Sequence, residues 1–345
     1  MNCHKEHWGL EFSPEAIRAC RQQNGLLSLE LELSRACNLR CIYCYASSGA
    51  PLAGEMSREE IFSVIDQAAD LGARKIIVLG GGEPLLYPDI FPVIDHILAK
   101  GLEVDLFTNG TLLDEQKAVK LFERNVSISI KMNSRKPEIQ DYLAGKPGTH
   151  AAIEKGLAAL LAAGYPDENH TLGIETIVCR QNYEELPEMW RWARQQGIIP
   201  YIEVMTSQGR ATSNGSLEVD RAAVKKLFEQ LAHIDSHEFE CTWTPMPPLA
   251  ASHCARHEYS CTVTATGEVH PCPGVNISTG NIRQQTLAEI IRSSEVIKDL
   301  RNIRSNIKGN CADCSHKDLC YGCRGHAYQV TGDYLAADPI CWLHE

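Results

Sequence analysis

Six short runs of aliphatic residues alternate with longer helical patterns between residues 27 and 205. The runs are 27–34 (LSLELELS), 75–79 (KIIVL), 102–107 (LEVDLF), 126–132 (VSISIKM), 172–178 (LGIETIV) and 200–205 (PYIEVM). Each is bounded by polar or Gly residues, the pattern of a short strand. Helical patterns fall near 57–71, 88–100, 114–124, 149–163 and 183–196. Ser57 with Glu60 has the spacing of a capping box, and Asn182 with Glu185 a weaker form of it. Gly72, Gly101, Gly164 and Gly197 each follow a helical run, where a residue tolerant of the left-handed region ends the helix. Such alternation predicts a parallel sheet with right-handed crossovers.

Two architectures satisfy that pattern, an open doubly wound sheet and a curved partial barrel. The polar residues favour the barrel. Ser28, Glu30 and Glu32, then Asp105, then Ser127, Ser129 and Lys131, then Glu175 and Glu203 recur inside the strands. A parallel strand covered on both faces is nearly all apolar, whereas a sheet curved round a ligand cavity keeps a polar inner face. Polarity confined to the strand ends is the other reading. The predicted fold is therefore α/β, a partial (β/α)6 barrel over 27–211 after an N-terminal extension of residues 1–26. A connector follows over 212–253, with one helix near 219–232 and the Pro-rich TPMPP. A small Cys-rich domain occupies 254–345, with a helical segment near 286–301.

The cysteines carry the chemistry. There are 15 in 345 residues, an odd number, and their distribution is uneven. Nothing at the N-terminus has the apolar core of a signal peptide, and no window reaches the roughly 18 apolar residues of a membrane span. The chain reads as cytoplasmic, where clustered thiols mean metal or catalysis more often than disulfides. A net charge of −11 argues against a nucleic-acid surface. Cys37, Cys41 and Cys44 lie within CNLRCIYCYASSG, just past the first strand. Three thiolates in one loop can hold three irons of a cubane and leave the fourth open to a small molecule; a zinc site completed from afar is the alternative. The Gly-rich loop LGGGEPLLYP at 79–88 follows the second strand and allows close approach of backbone to a ligand.

With these elements in place the sequence resembles the radical S-adenosylmethionine (radical SAM) superfamily. The resemblance rests on Cys37, Cys41 and Cys44 with Tyr43, the loop Gly81–Gly82–Glu83–Pro84, TNGTLL at 108–113 and GRA at 209–211. It implies a 4Fe–4S cluster at the barrel mouth, with SAM completing the open iron. It implies also that Gly81, Gly82, Glu83 and Pro84 face the SAM amino group and that Tyr43 lies near the adenine. Asn109 and Arg210 lie in the SAM region on the same grounds, and Ser129 and Lys131, polar positions of the fourth strand, are further cofactor-binding candidates. The implied chemistry is reductive cleavage of SAM to a 5′-deoxyadenosyl radical that abstracts hydrogen from an unactivated C–H bond, fed by a low-potential donor of flavodoxin or ferredoxin type. Where many relatives read SLDG on the fourth strand, this chain reads KMNS at 131–134. Alternation aims Lys131 into the barrel, where it could bind a carboxylate or instead snorkel to the rim; Glu175 is a second inward candidate, as a catalytic group or as a structural partner.

The C-terminal cysteines, Cys254, Cys261, Cys272, Cys311, Cys314, Cys320, Cys323 and Cys341, resemble a SPASM domain, whose implied content is two auxiliary 4Fe–4S clusters. By that resemblance Cys254, Cys261, Cys272 and Cys323 hold one, and Cys311, Cys314, Cys320 and Cys341 the other. The C-x2-C pairs also suit zinc. Cys3, Cys20, Cys179 and Cys241 match no motif; Cys179 reads as a buried apolar residue, and CHKEH at 3–7 as a frayed terminus with some metal-binding capacity. Pro273, following Cys272, speaks against sulfatase maturation. Only about 26 residues precede the first strand, too few for a leader-capturing domain. The expected use is peptide or protein maturation; oxidation or epimerisation of a small alcohol or sugar is the alternative. A non-catalytic iron–sulfur or zinc protein is the reading from a different class.

Overall fold

The computed structural model describes residues 12–343. Six parallel strands form its centre: β1 (Ser28–Glu32), β2 (Lys75–Leu79), β3 (Glu103–Thr108), β4 (Ser127–Lys131), β5 (Leu172–Val178) and β6 (Ile199–Val204). They lie side by side in chain order and the sheet does not close, which makes it a partial barrel. Each sequence-predicted strand is present to within two residues at its ends. The first helix, α1 (Pro14–Gln22), precedes β1; α2 (Arg58–Asp70), α3 (Ile90–Ala99) and α4 (Glu115–Phe122) follow β1, β2 and β3. Two helices, α5 (Pro137–Ala144) and α6 (Thr149–Ala163), separate β4 from β5, and α7 (Leu186–Gln195) joins β5 to β6.

The helices cover the outer face because the outward strand positions are aliphatic. Leu29, Leu31, Ile76, Val78, Val104, Leu106, Ile128, Ile130 and Ile174 are all buried in one core with Ile61, Ile65, Ile94, Leu121 and Leu157 of the helices. The alternate positions, the polar ones, face the other way. Ser57 and Glu60 form the expected capping box on α2. Asn182 does not cap: its side chain is fully buried and instead binds the backbone of Asn133, Ile177 and Cys179, stitching β5 to the end of β4. The helical stops at Gly72, Gly101, Gly164 and Gly197 all adopt positive φ.

Two details were not expected from the sequence. The Cys-rich segment begins against the barrel sheet: β7 (Thr262–Val263) pairs in parallel with β1, and β8 (Val269–His270) pairs antiparallel with β7, extending the sheet to eight strands. Two-residue strands leave no periodicity to read. The segment near 286–301 is two helices, α9 (Leu287–Ser293) and α10 (Glu295–Arg301), because Ser294 leaves the helical region to cap α10.

The connector helix, α8 (Arg221–Glu238), packs on α7 around one acid. Asp235 is fully buried and accepts from Trp190 Nε1 at 2.7 Å, Trp243 Nε1 at 2.8 Å and Arg194 Nη2 at 2.8 Å. Removing one partner of a buried ion pair strands the others without water. Asp235→Ala should therefore lower unfolding stability by about 3 kcal/mol, read by urea denaturation.

Candidate functional site

The site begins with the loop that leaves β1. The backbone of residues 37–49 is closed on itself and tied to two other elements. Cys37 N donates to Gly49 O at 3.0 Å, while Arg40 N and Ile42 N donate to Ala144 O and Leu143 O at the end of α5. Arg210 closes it from the far side of the barrel. Its Nε donates to Cys41 O at 2.7 Å, its Nη1 to Ser48 O at 2.9 Å, and its backbone N to Cys44 O at 3.0 Å. The expected SAM-region residue Arg210 is thus a clamp on the cysteine loop's carbonyls. It is the loop's Cys37, Cys41 and Cys44 that line a cavity of about 320 Å³ on the concave side of the sheet.

The Gly-rich loop supplies the next wall. Gly80, Gly82 and Glu83 line the cavity. Gly82 lies against the Ala36 carbonyl so closely that a Cβ could not be accommodated, and a Cβ on Gly81 would lie 2.8 Å from Glu32 Oε2. Glu83 N donates to Ala36 O at 2.8 Å, which docks this loop on the cysteine loop. The Glu83 carboxylate is buried and accepts from Thr108 Oγ1 at 2.6 Å, Asn109 N at 2.7 Å and Leu85 N at 3.0 Å. Burial pushes its pKa up, and these donors pull it back. Pro84 starts a short 3-10 turn behind the wall. Asn109 lines the cavity and donates from Nδ2 to Asn38 Oδ1 at 2.9 Å. Ser129 is buried at the barrel floor, outside the cavity lining.

The inner polar face holds a charge cluster. Lys131 Nζ meets Glu175 Oε1 at 3.0 Å and lies 5.5 Å from the centre of the Tyr43 ring. Lys131 faces the cavity, as alternation predicts, but as half of an ion pair with the neighbouring strand. Glu203, on β6, sits beside Glu175 and is pushed up from 4.5 to about 8, first by burial and then by that like charge. On β1, Glu30 accepts from Arg256 Nη1 and Thr262 Oγ1, each at 2.6 Å. Arg256, His257, Tyr201 and Arg324 also line the cavity, and the strand pattern did not point to them. Their signal was adjacency: Arg256 and His257 follow Cys254 closely, and Arg324 follows Cys323.

Three C-terminal cysteines, Cys254, Cys272 and Cys323, line the same cavity opposite the Cys37–Cys44 loop. Burial pushes all three thiols up, Cys323 to about 12, so they ionise there only with a compensating cation. Cys311, Cys314, Cys320 and Cys341 form a second group: Cys341 and Cys311 act on the Cys320 thiol, and Cys311 and Cys314 on the Cys341 thiol, both of which burial pushes up. Cys179 is fully buried in a small apolar cluster, as expected. CHKEH at 3–7 lies outside the described residues. Among the described residues no three His, Cys, Asp or Glu side chains converge on a single-ion position. A cubane asks for a wider triangle, since each thiolate ligates a different iron. The three-thiol loop at the cavity mouth, beside a wall with no room for side chains, fits an iron–sulfur cluster and a ligand pressed against backbone.

Fold and site together define a SAM-dependent iron–sulfur enzyme, and the comparisons agree. The family model of the radical SAM superfamily matches residues 31–193, and that of the SPASM iron–sulfur cluster-binding domain matches 254–315. An AdoMet-dependent heme synthase of Methanosarcina barkeri is 31% identical over 336 residues, spanning 90% of this chain and 94% of that protein. The mycofactocin maturase MftC of Mycolicibacterium smegmatis is 27% identical, spanning 91% and 82%. Among solved structures, Streptococcus suis SuiB bound to S-adenosylmethionine superposes with a TM-score of 0.72 at 17% identity, covering 94% of this chain and 80% of that one. The chain belongs to the radical SAM superfamily, in its SPASM-bearing group. Its cofactors are S-adenosylmethionine and iron–sulfur clusters, one in the barrel and auxiliary ones in the C-terminal region.

The Glu203 shift predicts a pH dependence. Unfolded, the carboxyl ionises near 4.5; folded, it keeps its proton to about 8. The stability it contributes is complete below 4.5 and is lost as pH rises toward 8. Glu203→Gln cannot ionise, so it should resist urea better than the parent at pH 8, with the gap closing toward pH 4.5.

Proposed function

We propose that this enzyme acts in peptide or protein maturation, on a substrate held between the Cys37–Cys44 loop and the C-terminal cysteines. The observation that carries the reading is the convergence of both cysteine sets, the Gly80–Glu83 wall and the Lys131–Glu175–Glu203 cluster on one cavity. Cys37, Cys41 and Cys44 would hold the cluster that SAM completes, and reductive cleavage of SAM there would supply the radical chemistry that takes hydrogen from an unactivated C–H bond. The chain's own part is positional. Arg210 fixes the loop carbonyls, the glycine wall admits a ligand to backbone distance, and Tyr43 lies on the cavity beside Lys131. Lys131 holds a carboxylate by a charge-assisted hydrogen bond, stronger in a dry cavity than in water, with Glu175 as its standing partner. Glu203, beside Glu175 on the neighbouring strand, keeps its proton at neutral pH within the same cluster. The mycofactocin maturase and the PqqA peptide cyclase of Granulibacter bethesdensis, aligned over 91% and 92% of the chain, support a peptide substrate. A flavodoxin- or ferredoxin-type electron donor and a cytoplasmic setting complete the reading. No described helix is long and apolar enough to cross a membrane.

A second reading is favoured by one finding. The heme synthase relative aligns over nearly its whole length at higher identity than the maturases. A tetrapyrrole carrying carboxylates would meet Lys131, Arg256 and Arg324 in the same cavity.

The test is anaerobic turnover. Replacing Cys37, Cys41 and Cys44 together with Ala should abolish 5′-deoxyadenosine formation under dithionite while leaving iron in the C-terminal region. Persistent formation would remove the loop from the chemistry. Substrate class is read by stimulation: a rise in 5′-deoxyadenosine with a peptide encoded beside the gene supports maturation, and a rise with a carboxylated porphyrin alone supports the second reading.

Lys131→Met separates two roles. If Lys131 holds substrate, substrate-free SAM cleavage stays within about twofold of the parent and product falls at least tenfold, the loss of about 1.4 kcal/mol or more of binding. If it holds SAM, cleavage falls with or without substrate.

A further inference from the structure

The resemblance to SPASM domains groups Cys261 with Cys254, Cys272 and Cys323, but the fold sends it elsewhere. Cys261 immediately precedes β7. Within β7, Thr262 directs its hydroxyl to Glu30 at 2.6 Å, and Glu30 lines the cavity. Alternation therefore turns the residues on either side of Thr262 to the outer face. Cys261 and Val263 are both buried in the outer apolar core, at 1% and 0% exposure. The charged neighbours of the Cys261 thiol are Arg301, at the end of α10, and Glu30; Arg301 in turn is influenced by Cys20 and Cys261. Cys254, Cys272 and Cys323, by contrast, lie together on the cavity wall and influence one another.

The cavity wall beside those three cysteines also holds polar groups with nothing to bind. Arg324 is fully buried; its Nη1 donates to two backbone carbonyls, and its Nε and Nη2 have no hydrogen-bond partner. His257 is 4% exposed, with Nδ1 engaged by the Tyr321 hydroxyl at 3.2 Å and Nε2 without a partner. Buried donors left unpaired are uncommon and ask for an explanation. A ligand with a negative oxygen in this part of the cavity would satisfy the Arg324 donors, and His257 Nε2 as well in the tautomer that protonates it.

We infer that the cavity-facing auxiliary cluster is held by three cysteines, Cys254, Cys272 and Cys323, and that its fourth iron opens to the cavity to take a carboxylate-bearing ligand, with Arg324 beside it. Cys261 is a packing residue of the outer core. The inference rests on the C-terminal cysteines being cluster ligands, and the experiment tests that separately.

The protein used is the full chain with Cys37, Cys41 and Cys44 replaced by Ala, so that only the C-terminal clusters remain. Cys272→Ala in this background should remove about four irons per chain; an unchanged count would sink the ligand assignment itself. Cys261→Ala and the better-filling Cys261→Val should both keep the parent iron count and the parent g-values of the reduced clusters. Loss of about four irons in both would overturn the three-cysteine site. The open iron is probed with carbon-13 cyanide, a small anionic donor. A carbon-13 hyperfine coupling on the reduced cluster, lost on adding a competing simple carboxylate such as acetate, supports the inference. No coupling with clusters intact would overturn the open position. A coupling that appears only after His257→Ala would also overturn it, by giving the fourth place to His257.

Discussion

Everything in the barrel depends on keeping charged groups on the inner face of a parallel sheet. Such a sheet is stable when its faces are covered, and buried charges are tolerated only when paired and hydrogen-bonded. Here each inward charge has been given a partner on a neighbouring strand or loop. Lys75 pairs with Asp105 at 3.1 Å on the floor, Lys131 with Glu175 above it, and Glu30 with Arg256 across the seam to the C-terminal region. Curvature brings these pairs toward one another and leaves a cavity lined by the upper ones. The outward half of each strand carries the aliphatic core and the inward half carries the chemistry, so a one-residue slip in register would exchange the two.

The strands and most helices were legible because their periods are long enough to read. The strands at 75–79 and 172–178 fall at the predicted residues, and the capping box at Ser57–Glu60 marks the start of α2. The three-cysteine loop and the glycine wall were legible because their chemistry is local. What sequence could not supply was contact between distant segments. Arg210 looks from its motif like a ligand-binding group, yet it spends its guanidinium on carbonyls some 160 residues away. Lys131 looks like a free cation until β5 places Glu175 opposite it. Spacing alone could not reveal that β7 joins β1, because two residues have no pattern, and so the outward turn of Cys261 was hidden as well. Helix α5, which the sequence analysis does not include, carries Pro137 at its start and Gly145 in the left-handed region after it.

The cavity's two cysteine walls have different mechanical support. The Cys37–Cys44 loop is held by side-chain and backbone hydrogen bonds from α5, the Gly-rich loop and Arg210, all within the barrel. The opposite wall reaches the barrel through the β1–β7 ladder and the Arg256–Glu30 pair. Glu30 belongs to both: its backbone sits in the ladder and its carboxylate closes the seam.

That ladder sets the distance that any electron passing between clusters on the two walls would have to cross. Electronic coupling between redox centres decays steeply with separation, so a connection that stretches would make transfer erratic. The loop after β1 and the wall flanking β7 are joined by adjacent strands of one hydrogen-bonded sheet, with no swinging linker between them. The gap between the two thiol sets is therefore a fixed length, set by strand spacing, and the protein behaves as a ruler laid between two terminals. That distance is written into the backbone, and a side-chain substitution that leaves the ladder intact would not change it.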